Sequence, residues 1–456
     1  MKRIAFGLLT LALTLVACNK NDIDLSSVDN NVETNEGIPF TATISAGDNV
    51  VTRALTESGN TLVATWKVGE KVALVHNSRK DEMTVSEVND GVATITGTIT
   101  GSPSTGDAVI IIYPYTAAAG SSYYATGDLM DNVLGKQDGN LTGSDGIAEK
   151  YDVRKGSGTL KVSDGTASLN GIVSLANMFA IFKFTVRGYD GTTAISTKQL
   201  TITISGHKYS ILRLPGTDVL YAALPAVDGK KVIFDATADD GLNSTYTCAK
   251  LNTTFAAGKF YQVTLKMRQY ALMGGVKWAV CNIGATNPQD YGDYYAWGET
   301  TTKTKYDWSN YVWGGSSDFT KYTGSDYATL QAEDDVARQQ WGGTWRIPTE
   351  DERQALKNPE NFTWEWTTDY NGTGVKGMLV TSKNKDAYNN YRQIFLPAAG
   401  CYEGSSLNVN GSYGYYWTSS LANSTQCAWH LCVSSAGAGG GTVYRCNGYS
   451  VRAVAE

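Results

Sequence analysis

Histidine is scarce in this chain, with only His76, His207 and His430 among 456 residues. None stands at a metal-ligand spacing from another His or from a Cys pair, so no metal or other cofactor is expected. Gly-x-Ser-x-Gly, P-loop and His-Glu-x-x-His patterns do not occur, which removes the usual signatures of serine hydrolases, nucleotide binders and zinc proteases. Charge is sparse too. Asp, Glu, Lys and Arg make up 18% of the residues, the net charge is −6 and no basic stripe appears. Nucleic acid is therefore not an expected partner. No run of about 18 apolar residues, the length of a spanning helix, is found. The abundant residues are Gly (48), Tyr (27), Thr and Ser, a composition suited to short strands joined by many turns.

The N-terminus sets the compartment. Lys2 and Arg3 precede an apolar stretch at 4–16, too short for a permanent anchor and read as the core of a signal peptide. Leu15-Val16-Ala17-Cys18 resembles a lipobox, with Cys18 the acylated residue. The expected location is the cell surface, as an outer-membrane lipoprotein whose only membrane contact is the N-terminal lipid. Residues 1–18 are the signal segment, and the polar residues 19–36 read as a flexible tether. Export permits disulfides among the six later cysteines, for which spacing alone leaves 15 full pairings. One pair can be argued from register. A hairpin centred on Gly439 would set Cys432 directly opposite Cys446. Cys427 and Cys432, five apart on one predicted strand, should face opposite sides and not bond to each other.

Aromatic usage divides the mature chain. All but one of the eleven Trp and 17 of the 27 Tyr fall from residue 270 onward. Before that point short apolar–polar alternations dominate. Phe40, Ala42 and Ile44 alternate with Thr41 and Thr43, as a half-buried strand requires, whereas the continuous apolar run at 108–113 predicts a fully buried central strand. A second cluster of strand-like runs covers 173–186, 200–204, 231–234 and 260–265. The expected class is mainly β. Two β-sandwich domains, at 37–150 and 151–269 with a join near 145–160, would precede a C-terminal domain at 270–456.

Several segments of the first part resemble the fimbrillin family of Gram-negative anaerobes, pilus subunits made from lipoprotein precursors. They are the lipobox, the strand at 39–45, Val50-Val51-Thr52-Arg53-Ala54-Leu55, Trp66-Lys67-Val68-Gly69-Glu70-Lys71-Val72 and the run 109–115. The resemblance implies transthyretin-like pilin sandwiches. It also implies a protease that cuts after an Arg following the first strand, which bares a groove for a neighbouring subunit's strand. Arg53 stands where that cut would fall; the plainer alternative is an ordinary exposed loop charge. Other pilin subunits, engaged through donor-strand exchange, are the partners so implied.

From 270 onward the ordered motifs include Tyr294-Tyr295-Ala296-Trp297-Gly298-Glu299, Trp341-Gly342-Gly343-Thr344-Trp345-Arg346-Ile347-Pro348, Tyr416-Trp417-Thr418-Ser419-Ser420 and Gly448-Tyr449-Ser450-Val451-Arg452. They resemble the major paralogous domain family, which shares the C-type-lectin-like fold of formylglycine-generating enzymes. The implied domain is α+β, with two short helices. Leu330 through Gln340 fits one. Thr349, with Glu352 at capping-box spacing, starts the other. The aromatic insert at 306–317 offers Trp308, Asn310, Tyr311 and Trp313 for a surface glycan or protein ligand, against the alternative that these rings pack the core. Neither the Glu-Pro-Asn nor the Trp-Asn-Asp pattern of calcium-dependent lectins is present. Cys427 and Cys432 share the five-residue spacing of the formylglycine-generating pair, but they lie beyond the corresponding strand and lack its surroundings. No catalytic residue is assigned. The sequence reads as a non-enzymatic fimbrial tip adhesin, with a stand-alone ligand-capturing lipoprotein as first alternative and an oxidase as a distant second.

Overall fold

The computed structural model describes residues 37–46, 56–58, 61–63, 66–116, 134–143, 146–212 and 218–456. Strands dominate, as the alternating sequence anticipates, and helices are few and short. The described residues form two compact units, those up to 130 and from 150 to 178 in one, those from 131 to 149 and from 179 onward in the other.

The strands of the first unit are β1 (Ile38–Ser45), the small hairpin β2 (Thr56–Ser58) and β3 (Thr61–Val63), β4 (Lys71–His76), β5 (Arg79–Asn89), β6 (Val92–Ile99) and β7 (Ala108–Tyr113). After β8 (Lys136–Gln137), which belongs to the second unit, the chain returns as β9 (Arg154–Ser163), β10 (Thr166–Leu169), β11 (Val173–Ser174) and β12 (Ala176–Asn177). Hydrogen bonding runs β1-β6-β5-β4-β7-β9, and β10 pairs with both β9 and β1. The seven strands thereby close into a ring with no free edge along this path. Inside lies one aliphatic core, including Ile44, Val72, Leu74, Ile95 and Ile111. The run 108–113 is interior, between β4 and β9, with Val109 to Tyr113 buried. Residues 151–178 differ from the expected join at 145–160. They complete the first unit instead of opening the second, because β7 is apolar on both faces and needs a ladder partner on each side, and β9 supplies it.

The second unit continues with β13 (Ala180–Gly188), β14 (Thr197–Ile204), β15 (His207–Leu212), β16 (Val219–Leu224), β17 (Val227–Ala238), β18 (Thr245–Phe255), β19 (Phe260–Met273) and β20 (Val276–Ala279). The sheet order is β16-β13-β19-β18-β17-β14-β15-β8, with β13 and β19 parallel. β19 passes through 266–273 without a break. Its last residues pair with β20, which in turn pairs with the C-terminal strand at Val454–Ala455. The aromatic-rich region is thus joined to the preceding sheet by a shared strand.

That region contains the helices α1 (Val336–Trp341) and α2 (Glu350–Leu356). Three short sheets follow: β21 (Phe362–Thr367) with β22 (Gly377–Lys385) and β23 (Tyr391–Pro397); β24 (Cys401–Glu403) with β25 (Ser406–Asn408); and β26 (Tyr413–Leu421) with β27 (Cys427–Ser434) and β28 (Gly437–Tyr444). The segment Val454–Ala455 is β29. Asp335 caps α1 by accepting from the Ala337 and Arg338 amides. Thr349 and Glu352 form the reciprocal capping box expected for α2.

Candidate functional site

The leading strand is the first site of interest. β1 buries Phe40, Ala42 and Ile44 in the ring's core and turns Thr41 and Thr43 outward, a period of two. Along its whole length, from Ile38 to Ser45, it pairs antiparallel with β6. On the other flank it pairs in parallel only at Phe40 with β10 and at Ile44 and Ser45 with β11. Phe40 lies opposite Gly97, where a Cβ would stand 2.5 Å from the Met83 sulfur. Beyond the strand's end the buried Arg154 donates to the Ala46 carbonyl at 2.8 Å, while Asp152 holds its Nε at 2.8 Å. β1 is therefore one full ladder and a few sparse bridges, filled by alternate side chains. Cys18 and Arg53 lie outside the described residues.

The aromatic insert forms a loop braced at its start. Asp307 caps the helical turn Trp308–Asn310 through the Ser309 amide at 3.0 Å. A hydrogen bond from Lys305, helped by Ser309, holds the Asp307 carboxyl down to about 2. Most of the four residues proposed for ligand contact are used internally. Tyr311 is buried and its hydroxyl donates to the Trp297 carbonyl at 2.7 Å. Burial raises its pKa well above the usual phenol range. The Trp313 indole donates to the Gly298 carbonyl at 2.9 Å. Both rings pack against apolar clusters, where a wide aromatic with a single polar tip is satisfied by one carbonyl. Trp308 is half-buried, with its ring centre 5.7 Å from that of the exposed Tyr444. Asn310 is exposed, though its side-chain amide donates to the Lys305 carbonyl at 2.8 Å. Of the four, Trp308 and Asn310 keep exposed surface, beside Tyr444 at the end of β28.

The cysteines correct a second expectation. All six described cysteines are free. The hairpin of β27 and β28 turns at Ser435-Ala436, so Cys432 lies opposite Gly439 and not Cys446. The glycine run belongs to the strand: a Cβ on Gly440 would stand 2.5 Å from Arg353. The thiols of Cys427 and Cys432 are both raised by burial, and burial lowers the intervening His430 to about 4. Those directions oppose formation of a reactive thiolate. Among the described residues no cluster of three His, Cys, Asp or Glu side chains is placed to hold a metal ion, and no helix is long and apolar enough to cross a membrane.

No family model and no curated protein matches the chain. Solved structures do align. A fimbrial protein from Bacteroides ovatus aligns over 92% of this chain and 99% of its own, at 11% identity and a TM-score of 0.26. A fimbrial assembly protein from Parabacteroides distasonis aligns over 54% of this chain and 96% of its own, at 12% identity and a TM-score of 0.27.

One residue beneath the aromatic loop escaped the sequence reading. Arg445 is fully buried, its guanidinium 3.9 Å from the Phe319 ring centre and within 5.6 Å of those of Trp297 and Tyr311. It donates to the Tyr322 carbonyl at 2.9 Å. Nothing local marks this role, since its partners lie more than a hundred positions earlier. The only hint is an Arg just past the end of β28, in Val443-Tyr444-Arg445-Cys446.

Proposed function

We propose that this chain is an exported surface lipoprotein, acylated at Cys18, that enters a fimbrium by strand exchange and presents residues 270–456 as its adhesive, C-type-lectin-like head. The pairing of β1 carries the reading. A strand that fills its groove with Phe40, Ala42 and Ile44 and holds most of its ladder on a single side can be replaced by any peptide of the same alternation, because backbone pairing is generic. Removing it after cleavage at Arg53 would uncover apolar pockets and the unpaired edge of β6, a template for another chain. The head favours the tip position. Residues 451–455 are buried and β29 pairs with β20, so this segment is held in the head's own fold and is not free to fill a neighbour's groove. On the head, Trp308, Asn310 and Tyr444 offer an amphipathic surface for a glycan or protein ligand.

Limited trypsin treatment followed by N-terminal sequencing tests the assignment. The expected result is an early, discrete product beginning at Ala54. Resistance at Arg53, with β1 retained under conditions that cut elsewhere, would instead support a stand-alone lipoprotein that captures its ligand without polymerising.

A further inference from the structure

Among the described residues, three arginines of the second unit carry a buried guanidinium nitrogen without a hydrogen-bond acceptor: Arg268, Arg445 and Arg452. Arg445 and Arg452 are enclosed by protein. Arg268 differs, because it lines a cavity of about 400 Å³, within the range of small-ligand sites. β19 brings Arg268 to the wall. The ring centre of Tyr189 lies 3.1 Å from its Cζ and that of Trp341 lies 3.7 Å away. Two rings this near one atom cannot share a side, so they clamp the guanidinium between them. The Tyr189 hydroxyl in turn donates to the Gln340 carbonyl at 3.3 Å. Such a clamp fixes the plane of the guanidinium and leaves its in-plane donors to meet a partner.

No carboxylate pairs with Arg268 among the described residues. The groups acting on it are the Tyr189 hydroxyl and the Cys281 thiol, and burial raises the pKa of that thiol. Asp190 also lines the cavity, but its carboxylate accepts from the Thr192 and Thr193 amides at 2.8 Å each and from the Thr193 hydroxyl at 2.5 Å. The cavity thus holds one oriented cation short of an anion, beside an acid already engaged. A single cation next to a carboxylate suits a monoanion better than a doubly charged group. A planar carboxylate matches the guanidinium fork. Thr193, Tyr246 and Thr286 add hydroxyls around the cavity.

We propose that this cavity binds a monocarboxylate carried on a small polyhydroxylated body, that is, an acidic sugar. The site does not depend on the pilus reading, since it would act equally on a stand-alone protein. The test is calorimetric titration of the full chain with sodium glucuronate, glucose and N-acetylglutamate. Glucuronate is expected to bind at least about tenfold more tightly than glucose, the worth of one charge-assisted hydrogen bond, and more tightly than N-acetylglutamate. Arg268→Gln should abolish that preference. Because Arg268 also clamps Trp341, a second variant, Thr286→Trp, fills the cavity from an exposed position without altering the clamp. It should weaken glucuronate about tenfold with an unchanged thermal transition. Equal affinity for glucuronate and glucose, tighter binding of N-acetylglutamate, or wild-type affinity in Thr286→Trp would each overturn the proposal.

Discussion

The first unit and the aromatic region after residue 274 satisfy their buried backbone in different ways. The first unit uses long ladders around an aliphatic core. The aromatic region has short sheets and isolated bridges, and its large rings bind distant carbonyls: Trp297 to Thr418 at 2.8 Å, Trp417 to Tyr295 at 2.7 Å and Tyr416 to Pro397 at 2.5 Å. A ladder recognises any backbone, so one strand can be exchanged for another. Rings that reach specific carbonyls 19 to 122 positions away tie particular segments together, and none can leave without orphaning a partner. The first arrangement suits assembly; the second suits a head that must keep its shape under load.

The largest expected effect comes from cutting one such tie. Trp417→Ala should destabilise the second unit by about 3–5 kcal/mol, and Ile44→Ala in β1 should destabilise the first by about 2–4 kcal/mol, both read from denaturant unfolding. A smaller loss in Trp417→Ala than in Ile44→Ala would break the contrast. The next effect is pH-dependent and belongs to the aromatic region. His430 packs between Tyr415 and Tyr449, and burial lowers its pKa from 6.5 to about 4. Between those values the unfolded chain binds a proton that the folded chain refuses. Stability is therefore full above pH 6.5 and falls as pH drops, by on the order of 3 kcal/mol near pH 4. His430→Asn should flatten that slope when unfolding midpoints at pH 7 and pH 4.5 are compared. Tyr311→Phe strands the buried Trp297 carbonyl and should cost about 1–2 kcal/mol with little change in ring packing. Last, Thr349→Ala removes one half of the capping box and should cost about 1 kcal/mol.

What the sequence made legible was local. The alternation through Ile44, the apolar run of β7 and the Thr349–Glu352 spacing each signal their structure within a few residues, and each appears in the fold. Pairing between distant segments was not legible. The return of residues 150–178 to the first unit and the parallel match of β13 with β19 depend on which ladder is left open elsewhere. The glycine run at 439–441 misled for a different reason. Glycine marks a turn when it supplies positive φ, as Gly437 does at +121°, but Gly440 is needed in the strand because Arg353 occupies the place of a side chain. The candidate site divides in the same way: the insert at 306–317 was visible as an aromatic cluster, but whether each ring faced the core or the solvent was decided by Trp297, Gly298 and Arg445.

On the proposed function, β1 occupies a groove that another strand can fill. The direct measurement mixes trypsin-cut and uncut protein separately with a fluorescent peptide of the sequence 37–46, then separates bound from free label by gel filtration. One peptide per chain is expected in the cut protein and none in the uncut. Equal labelling of both, or of neither, would contradict it.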